Sequence, residues 1–147
     1  MTLPVEVLHC MICDYAAMQS DGKYTFSGVY TEDINFAGAG DLGPLSFFIC
    51  ILVRPLSPSG TLMIGLTTPE DAKARTVEFD SDASDAVSER DRFVLFTPVA
   101  LDKPALGKHQ ILIGTSAEDM HPVHTFYVTQ QGSAPDLNSA PAPAQTP

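Results

Sequence analysis

Two pairs of side chains in this sequence have the types and the spacing to hold a metal ion: Cys10-Met-Ile-Cys13 near the start and His121-Pro-Val-His124 near the end. Thiolate and imidazole are zinc's usual donors, and two plus two of them would close a tetrahedral shell at about 2.0–2.3 Å. The elements that must carry them work against it. Both pairs fall in stretches that read as β-strands, where residues three apart face opposite sides and lie roughly 10 Å apart. Each pair would need a bulge or turn to converge, so packed thiols and edge histidines are the expectation and a metal centre is the alternative.

Nucleophilic catalysis is the second chemistry on offer, with Cys10 or Cys13 activated by His9, His109 or His124. It requires an accessible thiolate and a base within hydrogen-bond reach. A thiol inside an apolar run is the opposite environment. No Gly-x-Ser-x-Gly elbow, phosphate-cradling glycine loop or His-Glu-x-x-His helix occurs, so neither catalytic residues nor a cofactor are expected. The carboxylates Asp80, Asp82, Asp85, Glu89 and Asp91 offer oxygens to Ca²⁺, but without the ligand order of a calcium loop they read as a solvated charge run.

Recognition remains. The segment from Ala37 to Gly43 is glycine-rich, and Gly38, Gly40 and Asp41 in it are the candidate binding residues, because loops on rigid β scaffolds commonly carry recognition. Tyr15, Tyr24, Tyr30 and Tyr127 could furnish an amphipathic contact surface. Phe26 alternates with Tyr24 and Tyr30, which favours core packing for that trio.

The scaffold follows from patterning. Val5 to Tyr15 has apolar residues on both faces, the sign of a strand inside a sheet, with Met11 and Cys13 on one face and Cys10 and Ile12 on the other. Ser20-Asp21-Gly22 reads as a two-residue primed hairpin turn into Lys23 to Tyr30, where Tyr24, Phe26, Gly28 and Tyr30 share a face. Thr31 to Gly43 reads as a long loop, extended at most around Ile34 to Phe36. Leu45 to Arg54, the most apolar segment, lies between Pro44 and Pro55 and reads as a central strand. Pro58-Ser59-Gly60 then predicts a turn returning Thr61 to Leu66 beside it. Pro69 to Lys73 predicts a single helical turn. Arg75 to Phe79, Phe93 to Ala100, Gly107 to Thr115 and a last segment from His121 or Val123 to Thr129 read as further strands.

Seven or eight short strands without a helix of ordinary length predict an antiparallel β-sandwich of immunoglobulin-like or related Greek-key type over residues 1–130, a closed barrel being the alternative. Residues 131–147, rich in Pro and Ala, predict a disordered tail.

Size and charge narrow the function. A chain of 147 residues suits one domain, able to bury about two-thirds of its extended surface. The formal net charge of −10 works against nucleic acid and anionic membranes. No apolar run is long enough to span a bilayer, and no basic region precedes an apolar stretch at the N-terminus. Three cysteines, all in apolar runs, suit reduced thiols in the cytoplasm rather than a disulfide framework.

The run ICDYAAMQSDGKYTFSGVY, Ile12 to Tyr30, resembles the opening of a family of small uncharacterised bacterial proteins, a domain of unknown function in which a Cys-Asp pair precedes a Gly-Lys turn and a Gly-Val-Tyr ending. The matching residues are Cys13, Asp14, Gly22, Lys23, Gly28, Val29 and Tyr30. The resemblance implies a compact β-sandwich and brings no activity, catalytic residue or cofactor with it.

The expectation is therefore a non-enzymatic module that binds a protein or small ligand through loops or an exposed sheet face. The alternative is a metal-dependent or thiol-based enzyme using the Cys10/Cys13 and His121/His124 groups. A small subunit of a larger assembly, or a homo-oligomer paired through edge strands, is a further reading.

Overall fold

Short alternating runs punctuated by glycine and proline build nine strands in the computed structural model, which describes residues 3–38, 40–57, 59–82, 88 and 90–131. They are β1 (Val5–Met18), β2 (Tyr24–Tyr30), β3 (Ile34–Phe36), β4 (Leu45–Pro55), β5 (Ser59–Thr68), β6 (Asp71–Asp82), β7 (Phe93–Leu101), β8 (Gly107–Ser116) and β9 (Asp119–Gln130). Among the described residues no helix is long and apolar enough to cross a membrane. The strands form a four-stranded sheet in the order β2-β1-β4-β7 and a five-stranded sheet in the order β3-β9-β8-β5-β6. All pairings are antiparallel except that of β3 with β9.

The sheets close on one another as a β-sandwich. The four-stranded sheet contributes Ile12 from β1 and Phe47, Ile49, Ile51 and Val53 from β4, and the five-stranded sheet contributes Ile64, Ile111, Ile113, Phe126 and Val128. Phe47 meets Phe126 edge to face across the interface, with ring centroids 5.7 Å apart. Each such buried side chain contributes about 1.5–3 kcal/mol through loss of apolar surface to water. This layer holds the sheets together.

Leu45 to Arg54 is central as expected, flanked by β1 and β7. Several local expectations are corrected. Thr61 to Leu66 does not return beside it: the chain crosses at Pro55 into the other sheet, where β5 pairs with β6 and β8. Pro55 still lies opposite Val5 and the Leu56 N–H bonds the Pro4 carbonyl at 2.7 Å, so pairing with β1 runs to its end before the chain leaves for the other sheet. Pro69 to Lys73 forms no helical turn. Thr68 pairs with Asp71, so Pro69-Glu70 is the tip of the β5–β6 hairpin. Ile34 to Phe36, the one part of the long loop expected to be extended, is the short strand β3, which pairs in parallel with β9 at the sheet edge.

The first hairpin also differs in detail. The Gly22 N–H bonds the Gln19 carbonyl at 3.0 Å and Gly22 itself takes φ 87°, giving three loop residues rather than two. A type I turn closed by a left-handed glycine gives this geometry. Within β1 the register to β4 shifts between Val7 and His9, with Leu8 40% exposed. That bulge brings Val5 and Val7 to the core face together with Cys10 and Ile12, so the predicted single alternation through β1 fails at Leu8. The acidic run is partly described: Asp80 Oδ1 accepts the Thr61 hydroxyl at 3.0 Å and Asp91 Oδ2 accepts the Ser88 N–H at 2.8 Å. Asp85 and Glu89, and the predicted tail from 132 onward, lie outside the described residues.

Candidate functional site

Cys10 and Cys13 diverge as strand geometry requires. Cys10 packs toward the core between the sheets, while Cys13 belongs to a separate cluster on the outer face of the four-stranded sheet. His121 and His124 sit on the other sheet. His121 is exposed, with Nε2 3.0 Å from Asp119 Oδ1, and His124 stacks on Phe126 at 6.3 Å. The four residues do not converge, and among the described residues no group of three or more His, Cys, Asp or Glu could hold a metal ion.

The thiols are equally poorly placed for nucleophilic work. Burial pushes Cys10 up to about 12, and burial together with the hydrogen bond to Cys13 raises Cys50 as well. These groups stay protonated at neutral pH. His109 is fully buried, stacked on Phe126 at 5.1 Å, with Nδ1 3.0 Å from the Gly107 carbonyl. Burial lowers the pKa of His109; burial, then the neighbouring His9, lowers that of His124. Their Nε2 atoms are buried without a hydrogen-bond partner, so both act as neutral rings bracketing Phe126.

What the structure does assemble is an aromatic surface. In β4 the odd-numbered residues Phe47, Ile49 and Ile51 face the core, which leaves Phe48 and Cys50 on the outside. On that outer face Cys50 meets Cys13, Sγ to Sγ at 3.6 Å, and both are essentially inaccessible to water. Small residues in the two central strands leave a trough, and rings from both edges fill it.

The hairpin tip supplies the lid. The β1–β4 ladder ends at Cys13 opposite Phe48, yet β1 continues with β2 to Met18 opposite Tyr24. Pairing between β1 and β2 skips Asp14 and Gly28, where Gly28 adopts φ 68°. A Cβ there would stand 2.8 Å from Asp14 Cγ, so the position needs glycine both for its conformation and for space. Beyond this kink the tip curls over the outer face. Phe26 and Ala16 join the Cys13 cluster, Tyr24 stacks on Phe26 at 6.4 Å, and Tyr24 reaches Phe96 of β7 edge to face at 6.1 Å. Tyr30, before the kink, points instead to the core, and its hydroxyl donates to Asp14 Oδ1 at 2.8 Å. Burial, and then the bond to Asp14, push the Tyr30 phenol up to about 12. The predicted common face for Tyr24, Phe26 and Tyr30 is thus split at Gly28.

Around this cluster the surface is apolar and open. Tyr15 meets Phe48 edge to face at 5.9 Å and remains 54% exposed; Met18 is 62% and Val29 46% exposed. Asp14 and Asp21 sit on the same hairpin. Sequence reasoning found the tyrosines but not the trough, because the positive φ at Gly28 that folds the tip over leaves no periodic signal.

The glycine-rich loop lies elsewhere. Gly38, Gly40 and Asp41 are exposed, and Gln130 Nε2 donates to the Gly40 carbonyl at 2.9 Å, tying the loop to the end of β9. Its neighbour Asp33 accepts the Tyr127 N–H at 2.9 Å. These contacts fix the loop to the five-stranded sheet and bring no titratable cluster to it.

No family model matches the chain, and no curated protein matches it. Among solved structures, it is similar to the β-glucosidase of Listeria innocua in complex with isofagomine, at 11% identity and a TM-score of 0.43 over 85% of this chain and 16% of that one. The glucose complex of the same enzyme gives 14% identity and a TM-score of 0.40 over 71% and 17%. The chain spans less than a fifth of those structures, and a likeness this loose carries nothing about activity.

Proposed function

We propose that this chain is a non-enzymatic, cytoplasmic binding module that docks a protein partner on the outer aromatic face of its four-stranded sheet. The observation that carries the reading is the cluster roofed by Tyr24, Phe26, Phe48 and Phe96 and bordered by exposed Tyr15, Met18 and Val29. Contiguous aromatic and methionine surface of this kind is what the centres of protein interfaces are made of. A monomer that kept it in water would forgo its burial. With a net charge of −10, the complementary partner carries a basic rim around an apolar centre. Support for binding rather than catalysis comes from Cys10 and Cys50, whose thiols burial holds protonated, and from the separation of the Cys and His pairs onto different sheets.

The test is affinity capture from the native cell with the wild-type chain and with Tyr15→Ala/Met18→Ala. Both side chains are exposed, so the variant keeps its melting temperature. The reading expects a partner recovered by the wild type, lost by the variant and weakened by salt. Equal recovery by both proteins would remove this face from consideration.

A further inference from the structure

The geometry points to a second, small-molecule site at the open side of the sandwich, built to take a short amphiphile with an apolar tail and a single negative charge. β6 and β7 are the edge strands of their respective sheets on this side, and among the described residues no strand bridges them. Between them a cleft of about 180 Å³ reaches down to the core residues Ile49, Ile64 and Leu66. Its mouth is framed by Val77 and Arg75 of β6 and by Pro98 and Val99 of β7. A volume of this size is enough for a short alkyl chain. Its inner walls are mostly apolar; Thr76, Arg75 and Thr97 are the polar residues lining it, and Thr97 is buried with a long 3.5 Å bond to the Pro98 carbonyl.

A second, polar cleft of about 280 Å³ adjoins it, and Arg75 lines both. Lys103 also lines it, with Glu70 and Asp71 at the β5–β6 turn. Asp71 Oδ1 is taken up by the Lys73 N–H at 3.0 Å. Among the described residues neither Arg75 nor Lys103 makes a salt bridge. Arg75, common to both clefts, marks where an anionic head is accepted at the end of the apolar slot, and it offers the planar fork that matches a carboxylate, with Lys103 adding a second positive charge in the adjoining cleft. The two carboxylates nearby set the site against a doubly charged head. The ligand class is therefore a monocarboxylate with a short aliphatic tail.

The full chain is titrated with octanoate, 1-octanol and octylammonium while its amide chemical shifts are followed. Octanoate is expected to saturate one site, with shifts centred on Arg75 to Val77 and Thr97 to Ala100. Arg75→Ala/Lys103→Ala, both exposed positions, should weaken octanoate about tenfold, the worth of a charge-assisted contact, and leave octanol unchanged. Val77→Asp, at a 43% exposed position, should weaken octanoate and octanol alike. Octylammonium binding as tightly as octanoate, insensitivity of octanoate to the double variant, shifts centred on Tyr15 and Met18, or no saturation at millimolar octanoate would each overturn the proposal. Because the site lies at the β6–β7 edge, its failure leaves the aromatic face untouched, and the reverse holds.

Discussion

The two faces of the four-stranded sheet are both apolar and are built on opposite plans. The inner face is a layer of branched and aromatic side chains, with Ile12, Phe47, Ile49, Ile51 and Val53 at no more than 1% exposure. The outer face puts its smallest residues, Cys13, Ala16 and Cys50, at the centre and buries them beneath rings that keep one side in water. The first face closes against a second sheet; the second closes against its own hairpin tip. The lesson is that a run apolar on both faces need not mean a strand sandwiched between two layers, because a curled hairpin can roof the outer side and still present surface.

That contrast can be broken from either side. The largest effect is expected at the inner face. Phe47→Ala removes a ring that meets Phe126 across the sheets and should cost about 3–5 kcal/mol, read as a lower midpoint in urea. Gly28→Ala should come next, costing about 1–2 kcal/mol for a left-handed alanine. Its signature is local: by lifting the tip it should speed reaction of Cys13 and Cys50 with a thiol reagent more than that of Cys10. Equal acceleration of all three thiols would mean that the tip is no lid.

A smaller effect is expected from pH. His109 and His124 are held neutral by burial, so their folded pKa values lie below the ordinary 6.5. Below that value the unfolded chain takes up protons that the folded chain refuses, so the stability these rings contribute is present above about pH 6.5 and falls as pH falls. Each ring contributes at most about 1.4 kcal/mol per pH unit. His109→Phe should flatten the slope of urea midpoint against pH between 7 and 5; an unchanged slope would place the titration elsewhere. The smallest change in stability, within about 0.5 kcal/mol, is expected from Tyr15→Ala/Met18→Ala, because both side chains lie largely in water.

The fold class, the central place of Leu45 to Arg54 and the divergence of Cys10 from Cys13 were legible because each rests on period-two alternation, a local property. The partner of Thr61 to Leu66 was not, since a turn at Pro58 to Gly60 and a crossover after Pro55 present the same residues and only the packing of the two sheets decides between them. The face switch at Leu8 and the kink at Asp14 and Gly28 were hidden for a related reason. One extra residue, or one glycine at positive φ, reverses all that follows without disturbing composition. The aromatic face was half legible. Tyr24 and Phe26 were visible as an alternating pair, but their neighbours Phe48 and Phe96 come from strands far along the chain.

Tyr15 and Tyr127 allow the central claim to be tested on one molecule, because they are comparably exposed, at 54% and 45%, on the four-stranded and five-stranded sheets respectively. A photo-crosslinking amino acid is placed at one position or the other in the native cell. The account predicts a discrete crosslinked partner from position 15 and none from position 127. A partner captured from position 127 and not from 15 would contradict it.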